Sequence, residues 1–521
     1  MSTETRTPRR RDAVTRAAGY ATAGLAAAAA AVGAGELAAA LIGPDSAPVV
    51  AVGSAAIDLT PTPLKEYAVR TFGTHDKTVL LGGIYLTMIL LAAVAGIIAA
   101  RRPRLGAALF LLFAVLGTWA ALSRPTATRS DALPSLVAGA VGAATLLLLT
   151  RLRRRAAPSV AASPAGPGRR TVLLATGGTF AAAALAGYGG RRLADSRYDV
   201  SAARAAVRLP APAVPARPIP AAHPAVPGLP PFRTPDADFY RVDTDLTLPR
   251  IDPRDWALRV RGLVDHPLML TFDELLRRPL TELDHTLSCV SNEVGGPYVS
   301  TTRWLGASLP ELLRQAQVRS GADQLVGRSK DGMSIGTPLE SVLDGRTALL
   351  AVGMDGEPLP VAHGFPCRTV VPGLYGYTSA TKWLVDLEVT TFAAYDPYWV
   401  KRGWDRTGTV RTASRIDVPA PFARVPAGAV TVAGTAWATH RGIAAVEVRL
   451  DGGPWAEARL AADAGPDLWR QWSYEWANAR PGTHRIEVRA TDGTGAVQPE
   501  ARTTPFPAGA TGWHSTVVTV T

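Results

Sequence analysis

Five long apolar stretches in the N-terminal part constrain the fold of this chain more than any other feature. They are Ala17–Ile42, Thr78–Ala100, Leu105–Leu122, Leu133–Thr150 and Thr171–Gly190. Each approaches the roughly 20 residues that an α-helix needs to cross the hydrocarbon core of a bilayer. The sequence therefore predicts an N-terminal α-helical transmembrane region, residues 1–194, with about five spans.

Two apolar segments leave alternatives open. Ala17–Ile42 is rich in alanine and contains Glu36, so a soluble alanine-rich helix is the alternative to a membrane span. Small residues of this kind also suit close helix packing in lipid. Ala47–Thr60 is apolar but too short to span, which permits an interfacial or re-entrant segment.

Arginine placement predicts the orientation of the spans. Basic clusters occupy Arg6 to Arg16, Arg101 to Arg104 and the loop from Arg151 to Arg170, while the alternate loops hold fewer cations. Because positively charged loops stay in the cytoplasm, we expect the N-terminus inside and everything after Arg191 outside. Arg169-Arg170 before an apolar span also resembles a twin-arginine export signal. Simple positive-inside anchoring is the alternative.

The charge balance argues against a nucleic-acid partner. The chain carries a net charge of +12, but residues 1–197 hold 22 Lys/Arg against 9 Asp/Glu, and the rest hold 33 against 34. A nucleic-acid-binding domain needs a basic patch on its folded surface. The excess belongs instead to the predicted membrane region.

The remaining chain divides into three parts. Residues 195–236 are rich in Ala and Pro, which predicts an extended, semi-stiff tether. Residues 237–405 mix short strands with short helices such as the capping-box start at Thr271, which indicates an α+β domain. Residues 411–521 alternate apolar and polar side chains between Gly/Asp turns, which is typical of an immunoglobulin-like β-sandwich. No G-x-G-x-x-G opens a helix, so neither a nicotinamide nor a flavin site is expected.

Two ordered motifs in the α+β part carry the chemistry. The first is His285-Thr-Leu-Ser-Cys-Val-Ser-Asn-Glu-Val-Gly-Gly296, whose Cys289 is a soft ligand suited to a transition metal. The second runs from His363 to Trp383 and combines a Pro/Gly loop with cations and hydroxyls. Two alternatives exist for Cys289, namely a buried apolar thiol and a disulfide with Cys367, the other cysteine of the chain.

Together these motifs resemble the sulfite-oxidase family of molybdenum-cofactor enzymes, from about Phe239 to the C-terminus. The resemblance is to a Thr-Leu-x-Cys-x-x-Asn motif and a His-Gly-x-Pro-x-Arg-x-Val-Val-Pro-Gly…Lys-Trp motif. It implies a molybdopterin (pyranopterin) cofactor, with Cys289 as molybdenum ligand and catalytic residue. It implies cofactor contacts from Arg241, Asn292, Asp331, His363, Arg368, Ser379, Thr381 and Lys382. For each contact, an ordinary salt bridge or cap is the alternative. The C-terminal part resembles the family's dimerisation domain.

This sequence departs from the family pattern beside the metal ligand. Sulfite oxidases place an Arg after Cys-x-x-Asn, but here Glu293 follows Asn292. The family's active-site tyrosine also lacks a clear counterpart, because the corresponding positions hold Asp331 or Val352. A carboxylate near the metal disfavours an anionic substrate. We therefore expect sulfite to be a poor substrate.

The chain itself offers no electron-transfer module. It has no C-x-x-C-H haem motif and no iron–sulfur cysteine set, so no haem is expected. The leading hypothesis is a multi-pass membrane oxidoreductase whose catalytic domain faces outward. It transfers an oxygen atom to or from a small molecule and exchanges the electrons with a separate electron carrier or membrane partner. A homodimer through the C-terminal domain is expected. The alternatives are a sulfoxide or S- or N-oxide reductase and a non-catalytic cell-surface interaction protein. The sequence leaves the substrate, the direction, the electron acceptor or donor and the oligomeric state open.

Overall fold

The computed structural model describes residues 7–156, 168–220 and 226–521. Arg6, much of the basic loop before Arg169 (157–167) and part of the Pro/Ala-rich segment (221–225) lie outside the described residues. The chain forms two compact units. The first contains residues up to Asp199 together with Thr244–Leu248, and the second contains Val200–Asp243 and Pro249–Thr521.

The first unit is helical. Five of its described helices are long and apolar enough to cross a membrane, and each contains one of the five predicted stretches. The short apolar segment predicted after the first span also forms a helix, which packs against α4 and α5. The helices are α1 (Thr7–Ile42), α2 (Pro48–Leu59), α3 (Thr62–Phe72), α4 (Asp76–Arg101), α5 (Pro103–Leu122), α6 (Leu133–Arg155) and α7 (Arg169–Arg197).

The alanine-rich α1 packs against α4, α6 and α7. At its crossing with α4, Gly24 lies against the Ala92 carbonyl and Gly96 against the Tyr20 carbonyl, so a Cβ atom at either glycine would collide with backbone. Gly33 meets α7 at Ala183 in the same way. Small residues therefore let these helix backbones touch, which explains why the first stretch is rich in alanine.

Over its described residues, the first half of the second unit contains two β-sheets and five short α-helices. One sheet has the order β2-β1-β10-β5-β6; the other has the order β3-β4-β7-β8, with β9 paired to β7. The strands are β1 (Ala257–Gly262), β2 (Leu268–Thr271), β3 (Leu280–Ser288), β4 (Val299–Ser308), β5 (Gln324–Ser329), β6 (Ser334–Pro338), β7 (Leu349–Met354), β8 (Glu357–Pro358), β9 (Arg368–Val370) and β10 (Leu384–Thr390). The helices are α9 (Phe272–Leu276), α10 (Leu309–Ala316), α11 (Glu340–Leu343) and α12 (Gly376–Ser379), while α8 (Ser201–Ala206) precedes them in the chain.

Local sequence explains where these elements start. Thr271 and Glu274 form the predicted capping box at the start of α9. The side chain of Ser308 accepts from the Glu311 amide at the start of α10, and Pro310 occupies the first turn, where no amide is needed. Trp304 and Phe365 are fully buried in the core between β4 and the second motif. This core supports the edge from which Cys289 emerges.

The C-terminal part consists of two sheets that share one buried core. Their strand orders are β11-β13-β17-β16 and β12-β19-β18-β14-β15. Trp472, Val446 and Ile486 lie at the centre of that core with no exposed surface. The strands are β11 (Ala413–Val418), β12 (Arg424–Val425), β13 (Gly428–Trp437), β14 (Ile443–Leu450), β15 (Ala456–Glu457), β16 (Arg459–Leu460), β17 (Arg470–Ala479), β18 (Gly482–Asp492) and β19 (His514–Val520).

From Val200 the Pro/Ala-rich segment belongs to the second unit, and its described residues after the short helix α8 are mostly extended. Val214 pairs with β3, accepting from the Glu282 amide at 2.9 Å. The Phe232 carbonyl accepts from Trp469 Nε1 at 3.0 Å, and the Pro230 carbonyl accepts from Gln471 Nε2 at 2.8 Å. A chain with many prolines has few amide donors, so its carbonyls bond to side chains of the folded unit. Hydrogen bonds therefore hold these residues of the predicted tether against the second unit.

Candidate functional site

Cys289 begins a closed loop at the end of β3, which we call the cysteine loop (residues 289–298). The Cys289 amide donates to the Tyr298 carbonyl at 3.0 Å, and the Asn292 amide donates to the Cys289 carbonyl at 3.1 Å. The side chain of Asn292 is buried, and its Oδ1 accepts from the Tyr298 amide at 2.9 Å. Asn292 therefore closes the loop that presents the Cys289 sulfur.

The Cys289 thiol lies in a pocket of amide and hydroxyl donors. Burial raises the pKa of this thiol, whereas hydrogen bonds from Ser291 and from the Val290 amide lower it. The pKa of Cys289 is raised on balance, so these donors offset only part of the cost of forming the thiolate, the form that ligates metals. Cys289 and Cys367 are both free thiols, so the disulfide alternative does not hold in this structure. Cys367 is fully buried in an apolar environment that raises its pKa.

Arg368 is a buried cation without an acidic partner. It is 3% exposed, its guanidinium lies 4.8 Å from the Trp304 ring centroid, and its Nη1 donates to the His363 carbonyl at 3.0 Å. Its Nε has no hydrogen-bond partner, and no carboxylate among the described residues lies within ion-pair distance. Burial lowers the pKa of Arg368 to about 10. Because an unpaired buried charge is costly, this position calls for an anion.

Two further cations and a histidine lie near Arg368. Asp243 bridges the cations, since its Oδ2 accepts from Lys382 Nζ at 2.9 Å and lies 3.2 Å from Arg241 Nε. Burial, together with the nearby Arg368, Lys382 and Arg241, lowers the pKa of His363 to about 3. His363 is therefore a neutral hydrogen-bonding group, and the site retains excess positive charge.

The other predicted contacts have local partners. Ser379 is fully buried, and its Oγ donates to the Tyr375 carbonyl at 3.0 Å. The Thr381 amide donates to Thr369 Oγ1 at 2.8 Å. Asp331 accepts from the Met333 amide at 2.8 Å in the turn between β5 and β6. That turn is next to Lys382, because the Lys330 amide donates to the Trp383 carbonyl at 2.9 Å.

Sequence reasoning missed two tyrosines near Cys289. Burial raises the pKa of Tyr240 well above its usual value; the nearby Cys289 also raises it, and Arg368 lowers it. Burial raises the pKa of Tyr375 to about 12, and its hydroxyl accepts from the Arg411 amide at 3.1 Å. Both residues lie inside the runs that contain Arg241 and Arg368, so neighbouring aromatic hydroxyls were the available signal.

A buried histidine was missed as well. His285 has no exposed surface, its Nδ1 lies 3.2 Å from the Asp467 carbonyl, and its Nε2 has no partner. Burial lowers the pKa of His285 to about 4, so it is neutral. Its cross-strand neighbour Thr302 also has an unpartnered buried oxygen. The hydropathy pattern did not predict the buried polar atoms of His285 and Thr302, because a single histidine in a strand does not change the periodicity.

Glu293 is exposed on the cysteine loop. It lines a small surface cleft together with Ser288, Tyr375, Ser414 and Gln498. The Glu293 side chain therefore lies at the solvent-exposed edge of the cysteine loop, where water and salt screen its charge.

Comparisons with known proteins agree with this chemistry. The family model described as "Oxidoreductase molybdopterin binding domain" matches residues 245–399. Sulfite oxidase of Gallus gallus is 33% identical over 319 residues, which cover 52% of this chain and 69% of that protein. The mitochondrial sulfite oxidase of Mus musculus is 31% identical over 319 residues, which cover 52% of this chain and 58% of that protein. The oxidoreductase YuiH of Bacillus subtilis is 33% identical over 157 residues, which cover 30% of this chain and 76% of that protein.

The residues present fit a molybdopterin. All but one of the predicted site residues fall within the matched segment, and the exception, Arg241, shortly precedes it. The unpartnered Arg368 Nε offers a donor for a phosphate, and Lys382 and His363 add donors beside it. The donor-rich pocket around the Cys289 sulfur provides the soft ligand that molybdenum requires.

Proposed function

Given that this chain belongs to the sulfite-oxidase family of molybdopterin-dependent oxidoreductases, we propose that it is a membrane-anchored, extracytoplasmic enzyme that transfers an oxygen atom to or from a small molecule. One observation carries the proposal. The second unit buries the Arg368 guanidinium with no acid among its described residues to neutralise it, in the same region that presents the Cys289 sulfur. Such a site is built for an anionic metal cofactor.

Each residue has a role in this proposal. Cys289 ligates the metal, and Arg368, Lys382 and Arg241 hold the cofactor's phosphate and pterin with the neutral His363. When bound, the molybdenum cofactor supplies two-electron oxygen-atom transfer. Tyr240 and Tyr375 keep their phenolic protons at neutral pH, because burial raises both pKa values. They are hydrogen-bond donors near Cys289. The further contacts Asn292, Ser379, Thr381 and Asp331 are proposed on the family pattern.

Metal analysis tests the proposal. The full chain, produced in a host that makes the cofactor, should contain about one molybdenum and one pterin per chain. Cys289→Ser should lose activity and most of the molybdenum, since a hydroxyl is a poor soft ligand. Cys367→Ala is the matched control, because this thiol is free and fully buried. Folded wild-type protein without molybdenum would contradict the proposal and favour the alternative, a non-catalytic interaction protein.

The substrate class follows from the rim of the site. Glu293 on the cysteine loop lines the adjoining cleft, where the family pattern has a cation. This favours a neutral substrate over sulfite, and it keeps reduction of a sulfoxide or related S- or N-oxide as the second candidate. Turnover assays with sulfite and with a dialkyl sulfoxide, each with an artificial electron carrier, distinguish the two directions.

The membrane arrangement is also proposed. Five apolar helices and the arginine asymmetry support a cytoplasmic N-terminus and an external C-terminus. Reporter fusions after Arg102 and after Thr521 should therefore report opposite sides. A cytoplasmic signal from the second fusion would contradict the topology. In this arrangement electrons pass to a separate carrier or to a membrane redox partner.

The C-terminal part is proposed to be an immunoglobulin-like sandwich that supports a homodimer. Two sheets that share one core support the sandwich, and the family resemblance supports the dimer. Light scattering of the detergent-solubilised chain measures the oligomeric state. A monomer at micromolar concentration would contradict the dimer and leave the oxidoreductase proposal intact.

A further inference from the structure

We infer that the C-terminal β-region positions the cysteine loop, and that Arg415 and His514 are positioning residues for the Cys289 sulfur. The consequence for metal binding rests on the proposed function. The contacts themselves join the two β-rich parts of the second unit.

The first contact comes from β11. Arg415 Nη1 donates to the Gly296 carbonyl at 2.9 Å, and Arg415 Nε donates to Asp417 Oδ1 at 2.6 Å. The Arg415 and Asp417 side chains are 11% and 9% exposed, and Thr435 Oγ1 holds the second Asp417 oxygen at 3.1 Å. A buried ion pair is stable only when its remaining donors and acceptors are satisfied. Here the Gly296 carbonyl accepts from one of the remaining Arg415 donors, so the ion pair contacts the cysteine loop directly.

The second contact comes from β19. His514 Nδ1 accepts from the Ile416 amide at 3.0 Å, which fixes the ring plane. The edge of the ring lies against Gly295, so a Cβ atom there would collide with Cδ2 and Nε2 of His514. Gly295 has φ +79, which glycine adopts readily and other residues rarely do. The loop therefore approaches the ring as closely as a backbone can.

A third contact holds the strand that leads into Cys289. The Asp467 carbonyl accepts from the Thr286 amide at 3.0 Å, and the Trp469 amide donates to Thr286 Oγ1 at 2.8 Å. The C-terminal region thus holds the chain on both sides of Cys289, before it at Thr286 and after it at Gly295 and Gly296. Metal ligands must be held to within about 0.5 Å by their surroundings. Contacts on both sides provide that restraint.

Thiol reactivity tests the inference without any cofactor. The full chain is prepared from a host that cannot make molybdopterin, and the rate of iodoacetamide alkylation of Cys289 is measured by mass spectrometry, with the fully buried Cys367 as internal reference. Arg415→Gln removes the bond to Gly296 and should change the rate by about tenfold, the factor for a hydrogen bond from a charged donor. Arg415→Lys, which keeps the charge beside Asp417, should restore part of the wild-type rate.

Arg470→Gln is the matched control. Arg470 also donates to backbone carbonyls, those of Ala461 and Ile443 at 3.0 and 2.9 Å, but both lie within the C-terminal region. This variant should lower the melting temperature while leaving the alkylation rate unchanged. If Arg415→Gln and Arg470→Gln leave the Cys289 rate equal to that of the wild type, Arg415 is a stability contact only and the inference is wrong.

Variants at the contact between Gly295 and His514 provide a second test if Arg415→Gln does not fold. Gly295→Ala should perturb the Cys289 rate through its collision with His514, and Gly295→Ala with His514→Ala should recover part of the wild-type rate. Equal rates for the single and double variants would overturn the His514 contact. Alkylation needs no metal. A wild type that fails to bind molybdenum would therefore contradict the proposed function, while the alkylation rates would still test the positioning of Cys289.

Discussion

Two clusters of the second unit each bury one charged group to a similar extent. In one cluster, side chains of opposite charge surround that group, and in the other they do not. Asp386 on β10 is 2% exposed and is surrounded by Arg261 at 3.0 Å, Arg328 at 3.1 Å and Arg259 at 3.3 Å. Arg368 on β9 is 3% exposed and has no acid within reach among the described residues. The first cluster is complete within the chain, whereas the second is complete only with a bound anion. Compensation, and not burial, distinguishes a structural ion cluster from a ligand site.

The largest effect should come from breaking the complete cluster. Asp386→Asn removes the carboxylate that the three arginines share and leaves Arg261 and Arg328 paired with Glu388 alone. Because the three arginines are 25–59% exposed, water offsets part of the loss, and the free energy of unfolding should fall by about 2–3 kcal/mol. The melting temperature of the full chain in detergent measures this. Molybdenum content per folded chain should stay at the wild-type level. An unchanged melting temperature would show that water solvates the arginines sufficiently to replace the Asp386 carboxylate.

The incomplete cluster should respond in the opposite sense. Arg368→Met removes an uncompensated buried cation, so the cofactor-free protein should melt at the same temperature or higher. Molybdenum content should fall about tenfold or more, because charge-assisted hydrogen bonds to the phosphate are lost. Arg328→Met, at the complete cluster, should show the reverse pattern. A strongly destabilised, cofactor-free Arg368→Met protein would show that Trp304 and His363 alone compensate the guanidinium.

Acidification should weaken the second unit through its buried histidines. Burial lowers the pKa of His285 and of His514 to about 4, against the ordinary 6.5. Below pH 6.5 the unfolded chain binds protons that the folded chain does not, so stability is lost as pH falls from 6.5 to about 4. At pH 5 each histidine should cost about 2 kcal/mol relative to pH 7.5. Melting curves of His514→Gln should show a weaker pH dependence over this range than the wild type.

The smallest effect should come from the rim of the site. Glu293 is exposed, so screening limits its influence on an approaching anion to a several-fold change, roughly 1 kcal/mol or less. Glu293→Arg should lower the apparent KM for sulfite more than Glu293→Gln does. Steady-state kinetics at two salt concentrations check this, since the difference should shrink at high salt. Identical KM values in all three proteins would place Glu293 beyond the path of the substrate.

Local and periodic signals in the sequence were sufficient to predict several parts of the molecule. Hydropathy over about 20 residues located the five long helices, because a span must be apolar along its whole length. Cap chemistry located the start of α9, since it involves residues three apart. The spacing of Cys289, Asn292, His363 and Arg368 in two motifs predicted the molybdopterin family, which the relatives confirm.

Which of those charged residues have a partner of opposite charge, and what surrounds them, became clear only from the packing of the chain. Asp243 meets Lys382 across 139 positions of the chain, and Arg415 meets Gly296 across 119. No local pattern encodes such a pairing, because it depends on which strands become neighbours and which side chains lose water. The same reason hid Tyr240, Tyr375 and His285, whose chemistry near Cys289 arises from burial. Burial and partnership belong to the packed chain, and they decide which charges remain available for a ligand.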